Sequence, residues 1–358
     1  MPSQSSIIDA DEKRVLPEGP AETIEDQYLS ARAGTNLRDE AVTVKGRAKT
    51  WGDVVDAFEE YIWKEWKAAA TWSDEKAVHP TSHRFTSNAS KDRYGRTLGA
   101  DRATQRLWGD ALTTVHVVRR ARPFGKNGQP QPPADHLSDV LASNGNVYRA
   151  YRRHIEENHG LTYARLSVLE PHRNGYSHLH DGLWVNDSEN ILGETDIYPV
   201  LDAHLRAVDQ AQPRNHGPDA VSVENNPEAR SYPSDPEDAP QTTGLPREAT
   251  KFLGGLAPHD RDAEREPNVP NVLQADRGPL RFYALLWARG VRQWRPDRQV
   301  FPHLVEASQS WYDGESDTDS EYVSPKDIDV SHAGGVSTAD VDARPVEFER
   351  FKAGDSGM

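Results

Sequence analysis

The chain has 358 residues, no cysteine, and 57 Asp+Glu against 42 Lys+Arg, for a formal net charge of −15. Without cysteine there is no disulfide frame and no thiolate zinc site, and no apolar run approaches the roughly 20 residues of a membrane span. Mean hydropathy is −0.81, lean enough that part of the chain is expected to stay unpacked, and the start Met1-Pro2-Ser3-Gln4 carries no basic-then-apolar signal segment, so a cytoplasmic location is expected.

Residues 1–50 show no sustained period and read as a disordered arm. Trp51, Val54, Val55, Phe58, Tyr61, Ile62, Trp63 and Trp66 recur at helical spacing and predict an amphipathic helix over 51–70. Its aromatic stripe reads as core packing rather than as a base-stacking platform. Residues 82–108 carry Arg84, Lys91, Arg93, Arg96, Arg102 and Arg106, with Tyr94 and Trp108 interleaved. That stretch is either a phosphate track or a solvated helix face with local ion pairs. Thr113 to Val118 is a strand by its β-branching, followed by Arg119, Arg120 and Arg122 and a Pro/Gly loop over 123–133. Residues 135–158 read as one helix with Asp135 as its cap. Two strands, 162–170 and 176–185, flank Pro171-His172-Arg173-Asn174-Gly175, and Asn-Gly between apolar runs is a hairpin signal. A helix at 196–209, a short strand at Val221 to Val223, a loop over 224–246 and helices at 246–257 and 279–294 follow. From Asp313 the chain holds 12 acidic and 4 basic residues and reads as a disordered tail. The expected organisation is a disordered arm (1–50), one α+β domain (51–312) and an acidic tail (313–358).

The sharpest feature is Tyr176-Ser177-His178-Leu179-His180-Asp181-Gly182. On a strand, His178 and His180 share a face, while Leu179, Leu183 and Val185 form the opposite, core-facing row. Two imidazoles side by side on an open sheet face can share a divalent ion. Glu170 is the candidate third ligand, and its placement depends on the turn. A three-residue loop, Arg173 to Gly175 with Gly175 left-handed, pairs His172 with Tyr176 and sets Glu170 opposite His178. A two-residue Asn174-Gly175 turn puts Glu170 on the other face. The first option also brings Leu166 and Val168 to the metal side and points Arg165 and Ser167 away, against the strand's own pattern. The sequence leaves both options open.

At these residues the sequence resembles a known family. His178-Leu179-His180 is similar to the His-hydrophobe-His motif of rolling-circle replication initiators, the Rep proteins of the HUH endonuclease superfamily. The run from Leu169 to His180 resembles the version found in haloarchaeal plasmid and viral Rep proteins. Arg93-Tyr94-Gly95-Arg96, Ala100-Asp101-Arg102, Pro132 to Leu137, Ala203-His204-Leu205 and Leu285 to Gly290 resemble flanking segments, so that roughly 80–300 is covered. The resemblance implies an α+β nuclease fold, an antiparallel sheet flanked by helices. It implies Mg²⁺ or Mn²⁺ at His178 and His180, and a tyrosine that attacks a phosphate of single-stranded DNA and stays joined to its 5′ end. Partners would be single-stranded or plasmid/viral origin DNA, with host replication proteins as further partners and no membrane. Arg93, Arg96, Arg102, Arg119 and Arg120 are the candidate DNA contacts. The negative charge does not argue against this. With 31 Arg to 11 Lys and abundant Asp and Glu, the composition resembles that of proteins adapted to molar salt, where the Debye length is about 3 Å.

One position departs from the family pattern. The nucleophile helix should fall near Arg247 to Leu256, where Phe252 stands at the position of the first expected tyrosine. Phenylalanine cannot attack phosphorus. Neighbouring Lys251 can position or neutralise charge. Tyr283, in the next helix, is the alternative nucleophile, with a core aromatic as its competing reading. Two functional readings follow: an initiator that nicks and rejoins single-stranded DNA, and a descendant that binds DNA without nicking it.

Overall fold

Three β-rich runs form the centre of the molecule. In the computed structural model, which describes residues 24–73, 84–125, 128–228, 241–246 and 269–312, they are β1 (Leu112–Arg119), β2 (Thr162–Pro171) and β3 (Ser177–Asn186). Two short strands, β4 (Val221–Asn225) and β5 (Trp294–Pro296), complete a five-stranded sheet in the order β4-β1-β3-β2-β5. Every pairing is antiparallel, and β3 lies in the middle, bonded to β2 along its whole length and to β1 from Leu179 to Asn186.

α-Helices surround the sheet: α1 (Trp51–Ser73), α2 (Ser87–Trp108), α3 (Pro133–Ala142), α4 (Asn144–Tyr151), α5 (Glu194–Ala207), α6 (Arg277–Arg289) and α7 (Phe301–Tyr312). The fold class is α+β, as expected. Strand alternation divides the core. On one face, here the front, Leu112, Leu166, Val168 and Trp184 pack with Ala100 and Ala103 of α2 and Phe301 and Leu304 of α7. On the back, Val115, Val117, Leu183 and Val185 pack with Val147 and Tyr151 of α4 and Ile197, Val200 and Leu201 of α5. At the hairpin end, Leu169, Tyr176 and Leu179 join Trp51, Val54, Val55 and Phe58 of α1 and Phe282, Leu285 and Trp287 of α6. Each fully buried side chain of this size contributes about 1.5–3 kcal/mol, so the sheet is held from both sides.

Several elements differ from the sequence reading. The helix expected over 135–158 breaks at Ser143 into α3 and α4 and ends in a π-helical turn, Arg152–Glu157. Asp135 does not cap it. Pro132 precedes α3, and the Asp135 carboxylate instead accepts hydrogen bonds from the Ser30 hydroxyl and the Ala31 N–H. That contact helps tie down residues 24–50, which were expected to belong to a disordered arm; Ile24, Leu29, Ala41 and Ala48 are buried in the core. Strand β5 and helix α7 were not read from the sequence at all. The Asp297 carboxylate lies before α7 and accepts from the N–H groups of Gln299, Val300 and Phe301, the last being the first helical residue. Residues 1–23, the helix expected within 246–257 from residue 247 onward, and the acidic tail lie outside the described residues. Among the described residues, no helix is long and apolar enough to cross a membrane.

Candidate metal centre

The hairpin takes the three-residue loop. The His172 N–H donates to Tyr176 O at 2.7 Å, and the Gly175 N–H donates to His172 O at 2.8 Å. Gly175 is left-handed, with φ +93°, and a Cβ there would lie 2.9 Å from both Gly278 O and Arg281 Cβ. Both the dihedral and the space demand glycine. The resulting register pairs Glu170 with His178 and Val168 with His180. Glu170, His178 and His180 therefore share the front face. Arg165 and Ser167 do point the other way, and the tension with the apolar pattern disappears because α2 and α7 cover the front as well.

The three side chains converge. Glu170 Oε2 is 3.2 Å from His180 Nε2 and 3.9 Å from His178 Nε2. One ligand atom from each of the three lies within 4.8 Å of the others. The site is not on an open face, since Glu170, His178 and His180 are 0%, 8% and 4% exposed. Two imidazole nitrogens and one carboxylate oxygen on neighbouring strands form a donor set suited to a divalent ion, and the set is compact enough to hold one.

A fourth residue, missed in the sequence, completes the arrangement. His116 on β1 stands in register with Gly182, and its Nε2 is 2.8 Å from Nδ1 of His180. The two rings stack with centroids 5.0 Å apart. One nitrogen of His180 is thus engaged by His116 while the other faces Glu170, which fixes the ring in the orientation a ligand needs. The only signal in the sequence was a histidine within a β-branched run. His172 lies in the same group of imidazoles, its ring 4.3 Å from that of His178. Burial pushes its pKa down to about 3, aided by the Arg120 guanidinium, so it is neutral at pH 7.

Beside these residues the front face carries a fixed strip of chain. Leu245 sits directly over Gly182, where a Cβ would lie 2.9 Å from its Cδ1. Thr243 donates to the buried Asp101 carboxylate through both its hydroxyl (2.6 Å) and its N–H (3.1 Å), and Trp184 Nε1 donates to the same group at 2.8 Å. Residues 241–246 are therefore pinned beside the histidines. Lys251 and Phe252 lie outside the described residues.

The remaining candidates are distributed unevenly. Tyr283 is wholly buried in α6, edge-on to Phe85. Burial raises its phenol pKa, and the Glu170 carboxylate raises it further, which places the tyrosine near the centre but as a protonated core side chain. Arg119 does not face solvent. It is 0% exposed, with Nε 2.8 Å and Nη2 3.1 Å from the two Asp181 oxygens and Nη1 bonded to Ser143 and Asn144. This guanidinium is a structural ion pair behind the sheet, which departs from its expected role as a DNA contact. Arg120 is half-buried and close enough to depress the pKa of His172. Arg93 is half-buried and donates to Arg84 O. Arg96 is exposed with its guanidinium over the Trp294 ring, and it lines a groove beside Arg102 and Ser308. The structure thus brings Glu170, His178, His180 and Tyr283 into one region and leaves Arg93, Arg96 and Arg102 together along α2.

Comparison with known proteins gives relatives among haloarchaea and a family. An uncharacterized 36 kDa protein of Halobacterium salinarum is 29% identical over 309 residues, covering 82% of this chain and 88% of its own length. An uncharacterized 36 kDa protein of Halobacterium sp. (strain GN101) is 28% identical over 242 residues, covering 65% and 68%. No solved structure matches this chain. A family model matches residues 29–328, and on that extent the chain belongs to the family described as "Putative rep protein (DUF1424)".

Proposed function

We propose that this protein initiates replication of plasmid or viral DNA by nicking and joining single-stranded DNA at an origin, with Mg²⁺ or Mn²⁺ held by Glu170, His178 and His180. The observation that carries the reading is the convergence of these three donors, from two adjacent central strands, in a chain of the rep family. It also supports membership of the HUH endonuclease superfamily. When bound, the ion would supply Lewis-acid polarisation of a phosphate oxygen. The protein's own part is to hold that site rigid. Strand β3 is bonded on both sides, His116 orients the His180 ring, and α2 and α7 pack over the front face. The covalent step needs a tyrosine hydroxyl. Its oxygen attacks phosphorus, the bond to the 3′ oxygen breaks, and a 5′ phosphotyrosine and a free 3′-OH result.

Phe252 and the burial of Tyr283 favour a second reading, in which the protein binds origin DNA without cutting it. The test is incubation with labelled single-stranded origin DNA and Mn²⁺ in high salt, followed by a search for a covalent adduct. An adduct lost in His178→Ala and in Tyr283→Phe supports the nicking reading with Tyr283 as nucleophile. An adduct that forms only after Phe252→Tyr, and still needs His178 and His180, supports descent from a nicking enzyme. Origin binding with no adduct in any form supports the second reading.

A further inference from the structure

We infer that the outer groove between α4, the π-helical turn and α5 is a seat for the phosphate backbone of duplex DNA, separate from the metal centre. The choice of DNA as the anion rests on the replication reading; the groove itself does not. Helices α4 and α5 cover the back of the sheet, whereas Glu170, His178 and His180 lie on its front. The outward surface of this helix layer forms a groove of about 550 Å³ lined by Arg149, Arg152, Arg153, His154, Glu157 and Arg206.

Charge singles this groove out. Four arginines, all exposed, line it with one carboxylate, in a chain of net charge −15. Glu157 offsets part of that charge, 3.1 Å from Arg152. The local backbone is unusual too. Residues Arg152–Glu157 form a π-helical turn, a rare geometry that recurs at functional sites, and three consecutive residues of it line the groove. The pKa of His154 is lowered, first by burial and then by the charge of Arg153, so it adds hydrogen-bonding capacity rather than charge at neutral pH.

The residue types choose the ligand. In molar salt the Debye length is about 3 Å, so a diffuse basic surface attracts little, and only direct contacts discriminate. Arginine makes such contacts because its planar fork grips a phosphate with two hydrogen bonds, which lysine does not do. The groove holds no Phe, Tyr or Trp on which unpaired bases could stack. Single-strand sites rely on that stacking, so this surface fits the regular backbone of a duplex and would bind it without regard to sequence. An acidic peptide, such as the chain's own segment 313–358 with 12 acidic and 4 basic residues, is the rival occupant. It lacks the closely spaced tetrahedral oxyanions that repay a row of guanidiniums.

The experiment titrates full-length protein against a fluorescent random-sequence duplex across roughly 0.5–2 M KCl, where each phosphate contact adds about 0.9 to the salt slope. The triple variant Arg149→Gln/Arg153→Gln/Arg206→Gln should bind duplex about tenfold more weakly or worse, with a log–log salt slope shallower by about 2–3. Its Mn²⁺ affinity and its binding of single-stranded origin DNA should match the parent. Arg149→Lys/Arg153→Lys/Arg206→Lys keeps the charge and loses the fork, and should fall between the two. Equal duplex affinity in parent and Gln variant overturns the proposal, as does a parent that binds no duplex. A poly-glutamate peptide that loses binding in the variant while duplex binding is unchanged overturns it in favour of an acidic partner. Absence of a covalent adduct with single-stranded DNA tests the nicking reading alone and leaves the groove result standing.

Discussion

The two faces of the sheet each bury a carboxylate, and they treat it in opposite ways. On the back, Asp181 accepts from Arg119 through both oxygens, from the Ser167 hydroxyl and from the Tyr151 hydroxyl. Burial alone would raise its pKa; the charges of Arg119 and Arg165, with hydrogen bonds from Arg119 and Ser167, outweigh this and hold it below the usual carboxylate range. The group is matched by a permanent cation inside the protein. On the front, Glu170 faces two imidazoles, with His180 held from behind by His116. The neighbours of Glu170 are donors of the kind that ligate a divalent ion rather than a permanent cation. The back-face group is a closed ion pair, whereas the front-face group is a set of donors that, on the proposed reading, holds a divalent ion.

The sharpest way to break the comparison is to open the closed pair. Arg119→Ala strands Asp181 in the core, and the loss should be about 3–5 kcal/mol of unfolding free energy, read by guanidinium denaturation. A loss near that of a surface arginine would mean the back face is not closed as described.

On the front, the effect should fall on binding instead. The double change His178→Ala/His180→Ala should lower Mn²⁺ affinity by more than about a hundredfold, because one carboxylate is a weak site alone. Calorimetric titration reads it. Metal-free thermal unfolding should move far less than in Arg119→Ala, and a comparable drop would erase the distinction between the faces.

Acid should weaken the closed region through its neutral histidines. His204 bonds Ser143 and Arg120 O behind the sheet, with a pKa lowered to about 3 by burial and then by Arg119; His136 is lowered to about 4 by burial. Both folded values lie below the unfolded one, so the unfolded chain binds more protons as pH falls. Their contribution is complete above the unfolded pKa of about 6.5 and is lost progressively below it, by an order of 2 kcal/mol for each group at pH 5. Denaturation midpoints at pH 7 and pH 5 measure this. His204→Gln should flatten the dependence, and an unchanged slope would mean that His204 titrates normally.

The smallest effect concerns orientation alone. His116→Phe keeps a ring beside His180 but removes its nitrogen, and Mn²⁺ affinity should fall about tenfold with the three ligands intact. His116→Gln, which can still accept from the His180 ring, should recover part of that loss. Wild-type affinity in His116→Phe would show that packing alone orients His180.

Helix α7 shows that some misses were legible. Asp297 followed by an apolar stretch with Pro302 near its start is an N-terminal helix signal, and the structure uses it. Residues 24–50 are a different case. Their few apolar residues have no period, and they order because α3 offers Asp135 to Ser30 and Ala31, a partner more than 100 residues away. No local pattern announces that.

What the sequence by itself determined is whatever depends on neighbours along the chain: the alternation that sets His178 and His180 on one face, the existence of a hairpin at Asn174-Gly175, the amphipathic period of α1, and the absence of a cysteine frame. What the tertiary structure decided depends on pairing across space. The left-handed Gly175 selected the register that turned Glu170 toward the histidines. Pairing of β1 with β3 brought His116 against His180 and Arg119 against Asp181. A strand's side chains repeat every two residues whatever lies beside it, so alternation names the face, while only the hydrogen-bonded neighbour names the contact.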